Sequence, residues 1–250
     1  MKTRDLPGIS VLLPVYFRHI SVENIRLLRG SLESVVGQRY SGPLEILVID
    51  DGSPCPVESF AEDLGAVAKM VRWIRLPYNR GIVFALNAGI ETARHDFLAR
   101  IDADDRWLPG KLDVQIEQLL ADPDLTLIAT GMTRVNADGT VLDTHIRPGD
   151  WSGILRFFIE QGCPFPHGSV IGKRQVYRIL GGYPHTAAVR HCEDYALWEI
   201  WLRFFKPAMV ESALYEYRVS GTSVSVEHSL QQFRAAEVIR RSAKDRKSVV

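Results

Sequence analysis

The 250-residue chain is poor in cysteine: Cys55, Cys163 and Cys192 are widely spaced and include no Cys-x-x-Cys pair. So small and odd a set speaks against a structural zinc site and a secreted disulfide scaffold, and fits a reducing cytosol. The chain also lacks net charge, with thirty basic residues against thirty acidic ones. No global field draws it to nucleic acid, and no nucleic-acid partner is expected. Met1 to Gly8 holds no apolar signal region, and no uninterrupted apolar run reaches membrane-spanning length. A cytoplasmic protein is expected, with any membrane contact peripheral. Repeats, low-complexity stretches and a clear linker are missing as well. At 46% hydrophobic and 24% charged residues, the composition is that of an ordinary globular domain.

What is present alternates. Ile9–Val15 and Leu44–Asp50 are short buried-strand runs, and Asn24–Gln38 between them carries Leu28, Leu32, Val35 and Val36 at helical spacing. A helix over Val57–Ala68, a strand over Met70–Leu76, a helix over Ile82–Ala93 and a strand over Phe97–Ile101 continue the series. Such alternation with short links predicts right-handed crossovers and an α/β fold with a mainly parallel central sheet flanked by helices. After Trp107 the pattern loosens. Helices are predicted from Pro109 to Leu120, Trp151 to Glu160 and from Glu193 through Phe205. Strands are predicted at Leu125–Thr130, Thr140–Leu142, Ser169–Ile171 and Met209–Val219. Gly181-Gly182 breaks the chain, and Leu230–Arg241 reads as a last amphipathic helix.

Open α/β sheets bind ligands beyond the carboxyl ends of their strands. The second strand ends in Asp50-Asp51-Gly52-Ser53 and the fourth in Asp102-Ala103-Asp104-Asp105, so two acidic clusters reach one sheet edge. Like charges crowded there need compensation, which a hard divalent cation with phosphate oxygens supplies. Asp-x-Asp spacing suits this, since alternate residues leaving a strand point the same way. Turn formation is the competing reading of either cluster alone. The turn after the first strand, Pro14-Val15-Tyr16-Phe17-Arg18, has no glycine, which disfavours a sugar nucleotidyltransferase with its Gly-rich phosphate loop. A glycoside hydrolase also needs paired carboxylates, but strand-end Asp-x-Asp fits it poorly.

Five segments in order resemble family 2 of the nucleotide-sugar glycosyltransferases, with its single GT-A (Rossmann-like) domain. They are Ile9–Tyr16, Ile49–Ser53, Asn79-Arg80-Gly81 with Asn87-Ala88-Gly89, Ile101–Asp105, and Glu193-Asp194-Tyr195. The resemblance implies a domain over 1–225, with a nucleotide-binding half near 8–107 and an acceptor half near 108–225, followed by a C-terminal helix and basic tail over 226–250. It implies an inverting hexosyltransferase-like enzyme that moves a sugar from a nucleoside diphosphate sugar, UDP-sugar favoured, to a saccharide or lipid-linked acceptor, with Mn²⁺ or Mg²⁺ as cofactor. Cell-surface polysaccharide, lipopolysaccharide or glycolipid synthesis is the implied setting. A catalytically silent nucleotide-sugar binding module is the rival, and it would tolerate loss of Asp104 or Asp194, both of which are present.

Carried over residue by residue, Pro14, Val15 and Tyr16 resemble the first nucleotide-contacting loop, and Asp51 the carboxylate that recognises base or ribose. Tyr16 alternatively reads as a core aromatic at a strand end. Asp102, Ala103 and Asp104 resemble the metal and ribose motif, Asp104 being the better metal ligand and Asp102 the second. Arg80 is placed to pair with a phosphate or with a strand-end aspartate. Asn87 reads either as a binding residue or as a buried hydrogen-bonding one. His167, in Pro166-His167-Gly168-Ser169-Val170, is a binding candidate, with core or second-sphere packing favoured over metal ligation. Arg218 reads as a phosphate contact or a surface cation, and Ser220 stands where a histidine is common in the family. Asp194 resembles the catalytic base, with Glu193 as rival; both also suit a helix N-terminus. One base without a second nucleophile implies a single displacement and hence inversion. Trp198 and Trp201 read as core. Leu230, Phe233, Val238 and Ile239 among Arg234, Arg240, Arg241, Lys244, Arg246 and Lys247 suit either a helix packed on the domain or one resting on an anionic membrane.

Overall fold

The computed structural model describes residues 6–219 and 229–247. Strand β1 (Ile9–Val15) and β2 (Leu44–Asp50) occupy the runs read from sequence, with helix α1 (Val22–Val36) between them. Ser21 caps α1 by accepting from the backbone of Asn24, whose side chain returns the bond to the Ser21 N–H. Between β2 and β3 (Val71–Arg75) the expected single helix is broken. A 3₁₀ turn at Val57–Phe60, a one-turn α2 (Ala61–Leu64) and a second 3₁₀ segment at Gly65–Met70 replace it. Gly65, at φ 72°, takes a left-handed conformation that ends α2. Helix α3 (Ile82–Thr92) and β4 (Phe97–Arg100) complete the first half.

The second half contains β5 (Arg106–Trp107), α4 (Lys111–Ala121), β6 (Leu125–Val135), β7 (Val141–His145), α5 (Trp151–Glu160), β8 (Ile171–Lys173), α6 (Arg174–Ile179), α7 (Glu193–Phe204), β9 (Lys206–Arg218) and α8 (Ser229–Lys247). The strand expected at Ser169–Ile171 begins only at Ile171. His167–Ser169 forms a 3₁₀ turn because Ser169 Oγ bonds back to the Pro166 carbonyl at 2.7 Å. The described strands join one sheet in the order β3-β2-β1-β4-β8-β6-β9-β5, with β7 on β6. β3, β2, β1 and β4 run parallel; β8 is antiparallel to both β4 and β6, and β9 lies parallel to β6.

Both faces of the sheet are covered, which is why its central strands are largely apolar on both sides rather than alternating. Leu12, Leu47 and Ile49 face one core with Leu86 and Ile90 of α3 and with Leu197, Trp198 and Trp201 of α7. Their neighbours Val11, Leu13, Ile46 and Val48 face the other, with Leu28 and Leu32 of α1 and Ile116 of α4. Trp198 and Trp201 are buried core residues, as read from sequence. Helix α8 packs on α5 and α7, turning Ala235 and Ile239 inward and leaving Phe233 and Val238 exposed. No helix among the described residues is long and apolar enough to cross a membrane.

Candidate active site at the carboxyl edge of the sheet

β1 lies between β2 and β4, so its end is flanked by the two acidic clusters. Pro14 and Val15 close β1 in the core, and Tyr16 emerges at 40% exposure, which rules out its reading as a core aromatic. Asp51 follows β2 with its backbone N–H bonded to Val15 O at 2.8 Å. Its carboxylate is only 3% exposed as a residue and accepts from Arg80 N (3.0 Å), Gly81 N (2.7 Å) and Asn79 Nδ2 (3.1 Å). Burial pushes its pKa up, and the N–H groups of Arg80 and Gly81 oppose the rise. Asp51 thus shapes the loop that opens α3. Arg80 thus meets its strand-end aspartate through its backbone N–H, which donates to Asp51, rather than through an ion pair of its guanidinium. That guanidinium sits 3.9 Å above the Phe84 ring on the exposed rim. Asp50 points inward instead, accepting from Ser53 N, Val57 N and Arg75.

The second cluster is organised by Arg100, a residue the sequence reading passed over. It is 5% exposed at the end of β4, and its guanidinium forks onto both oxygens of Asp102, Nη1 to Oδ2 at 2.7 Å. Burial works against the Arg100 charge, but the surrounding acids, Asp102 foremost, hold it on. Asp105 is fully buried and ties down β9 by accepting from the Tyr215 hydroxyl and from Arg218 N at 2.7 Å. Burial, then Asp102, pushes its pKa well up. Tyr215 reaches Asp105 past Gly168, where a Cβ would collide with the phenol. Arg218 is not a surface cation. β9 carries it beside the β6–β7 turn, where its guanidinium donates to the carbonyls of Asn136 (3.0 Å), Ala137 (2.9 Å) and Asp104 (3.3 Å). Ser220 and the 225/226 boundary lie outside the described residues.

Asp104 differs from its neighbours. Among the described residues its carboxylate bonds to no other side chain, and burial followed by the Asp102 charge pushes its pKa up to about 6. A half-buried acid that forms no ion pair among the described residues, with Arg100 and Arg218 only near enough to temper its pKa, suits a divalent cation. Asp104 would be the first ligand, and Asp102 would contribute oxygens shared with Arg100. The described residues contain no group of three or more His, Cys, Asp or Glu side chains forming a cage.

The acceptor half brings Asp194 to the same edge. It stands in the first turn of α7, its Oδ1 accepting from Tyr195 N at 2.8 Å. Burial raises its pKa, while the Tyr195 N–H and the Arg100 charge oppose the rise and Asp102 adds to it. Glu193 is pushed up to about 7 by burial and then by Asp194. His167 lies with Nδ1 3.8 Å from Asp194 Oδ2, and burial, with Arg100 second, drives its pKa well below the ordinary histidine value. Asn87 clasps the backbone of Tyr183, accepting from its N–H and donating to its carbonyl. Two surface hollows among the described residues, about 480 and 420 Å³, are lined by none of these residues.

The family described as Glycosyl transferase family 2 matches residues 10–180. The chain belongs to this family. Among relatives of this glycosyltransferase, the amylovoran biosynthesis glycosyltransferase AmsE of Erwinia amylovora is 29% identical over 197 residues, covering 76% of this chain and 67% of the relative. The O-antigen biosynthesis glycosyltransferase WbnJ of Escherichia coli is 27% identical, covering 79% and 73%. Among solved structures, residues 1–349 of S. aureus TarS in complex with UDP-GlcNAc superpose with a TM-score of 0.64 at 15% identity, over 86% of this chain. The chain spans 60% of that structure's length. At this identity the likeness shows a shared GT-A-type fold.

Proposed function

We propose that this glycosyltransferase transfers a sugar from a nucleoside diphosphate sugar to a hydroxyl acceptor in one displacement, with inversion at the anomeric carbon. The observation that carries the reading is the meeting of Asp194 with the Arg100–Asp102–Asp104 cluster at a single sheet edge. Pro14, Val15, Tyr16 and Asp51 would receive the nucleoside, and Arg80 at the open start of α3 a phosphate. Asp104 and Asp102 would hold Mn²⁺ or Mg²⁺, which when bound supplies positive charge to the diphosphate leaving group. The acceptor oxygen attacks C1 as the C1–O bond to the diphosphate breaks, its electron pair leaving with the nucleoside diphosphate. The acceptor proton passes to the Asp194 carboxylate.

A UDP-sugar donor is favoured because TarS, of similar fold, binds UDP-GlcNAc. An acceptor in surface polysaccharide synthesis is favoured because AmsE and WbnJ carry the names of such pathways. The exposed Phe233 and Val238, beside Arg234 and Arg241 on α8, suit peripheral contact with an anionic membrane from the cytoplasm.

The experiment is a panel of nucleotide sugars with Mn²⁺ or Mg²⁺, scored for binding and slow donor hydrolysis. One donor is expected to bind and hydrolyse. Asp194→Asn is expected to bind it normally and lose turnover by roughly 10²–10⁴-fold. Near-native turnover in Asp194→Asn with collapse in Glu193→Gln reassigns the base, and binding of no donor refutes the reading.

A further inference from the structure

Asn87, Tyr183 and His167 form a connected series beneath Asp194 that no step above uses. Asn87 accepts the Tyr183 N–H at 2.8 Å and donates from Nδ2 to the Tyr183 carbonyl at 3.0 Å. The approach depends on Gly182, at φ 76°, where any Cβ would collide with the Asn87 amide. This clasp fixes the Tyr183 ring in the core, with its hydroxyl 2.8 Å from His167 Nε2 and the Tyr177 phenol as its other hydrogen-bonding neighbour. The backbone around His167 is fixed from below. Trp107 Nε1 donates to Gly168 O at 2.9 Å and Gln115 Nε2 to Ser169 O at 2.9 Å. Trp198 packs edge-on against the imidazole. The ring is thus held in place with Nδ1 toward Asp194 Oδ2.

Its surroundings favour the neutral form of His167, which carries one proton, and the two ring nitrogens are not equivalent here: Nε2 meets the Tyr183 hydroxyl and Nδ1 faces Asp194. With the proton on Nε2, the Nδ1 lone pair would face a carboxylate, acceptor against acceptor. With the proton on Nδ1, a donor faces the carboxylate and Nε2 is free to accept from the phenol. We propose that Tyr183 is a positioning residue: its hydroxyl donates to Nε2, fixes His167 as the Nδ1–H tautomer and aims that N–H at Asp194. The 3.8 Å separation is longer than a hydrogen bond, as catalytic contacts often are before substrate tightens them. The proposal rests on the reading of Asp194 as base, and it makes His167 a group that orients that base beside the Cys163 thiol, whose Sγ lies 4.0 Å from the same oxygen, with Asn87 as remote support on α3.

The tautomer is read directly by ¹⁵N NMR of histidine-labelled protein, the His167 signal being assigned by its loss in His167→Asn. The native protein is expected to show the Nδ1–H form, and Tyr183→Phe to lose that preference. In donor hydrolysis Tyr183→Phe is expected to lower kcat about tenfold, about 1.4 kcal/mol, with donor KM unchanged. His167→Asn puts an amide nitrogen near the place of Nδ1 and should keep more turnover than His167→Gln, whose nitrogen falls near Nε2. An Nε2–H tautomer in the native protein, or Gln outperforming Asn, overturns the proposal. Native-like turnover of Asp194→Asn would instead remove the base assignment, and the NMR result on unsubstituted protein distinguishes the two failures.

Discussion

Replacing Arg100 by Met should unfold the site from within. The guanidinium is 5% exposed and covers both oxygens of Asp102, whose side chain is 25% exposed. Removing one partner of a buried pair costs about 3–5 kcal/mol, because the other charge is left without compensation. Asp102 keeps some access to water, so the lower figure applies, about 3 kcal/mol. In a domain of this size that lowers Tm by roughly 6–12 °C. Arg100 also draws down the pKa values of Asp104, Glu193 and Asp194, so its loss leaves three further acids less stabilised. Removing both partners is far less costly than removing one. Arg100→Met/Asp102→Asn should therefore be more stable than Arg100→Met alone. Urea unfolding followed by tryptophan fluorescence measures all three proteins. A loss below about 1 kcal/mol in the single variant, or equal losses in single and double variants, would refute the claim that the pair is a buried, mutually dependent unit.

Three further outcomes are expected. Asp104→Asn should abolish metal-restored activity after EDTA yet stabilise the fold at pH 7.5. Its carboxyl is pushed up to about 6, so the folded chain holds that proton more tightly than the unfolded chain, and the associated stability is lost as pH rises from about 4 through about 6; unchanged thermal unfolding or full activity in metal-free buffer counts against this. Asp51→Ala should weaken nucleoside diphosphate binding by roughly 1.5–3 kcal/mol and speed amide exchange at Arg80 and Gly81, whereas unchanged exchange would show that the loop holds itself. Phe233→Glu/Val238→Glu should abolish low-salt pelleting with anionic vesicles, and equal pelleting would remove the membrane contact.

The parallel half of the fold was legible because its signals are local. Ile9–Val15 and Leu44–Asp50 are continuous apolar runs ended by acidic turns, and their bounds were read correctly. Trp151–Glu160 was equally plain, with Asp150 capping its start. Arg106–Trp107 escaped because two residues carry no periodicity; they form a strand only by pairing with Glu216 and Tyr215. The break in Val57–Ala68 depends on Gly65, a single residue inside an otherwise helical pattern. At the site, the acidic clusters were visible but their division of labour was not. Nothing local in the sequence marks Arg100 as buried; its strand is flanked on the second side only when β8, distant in sequence, pairs with β4. Strand parity held the missing clue, since residues 100 and 102 share a side. Asn87 and Tyr183 are 96 positions apart, and no spacing rule joins them.

The central claim is one displacement with Asp194 as base, and donor hydrolysis tests it without knowledge of the acceptor. Water takes the acceptor's place, and the anomer first released is read by NMR before mutarotation. Inversion of the donor configuration, lost in rate but not in donor binding by Asp194→Asn, is the predicted result. Release of sugar with the donor configuration retained would contradict it.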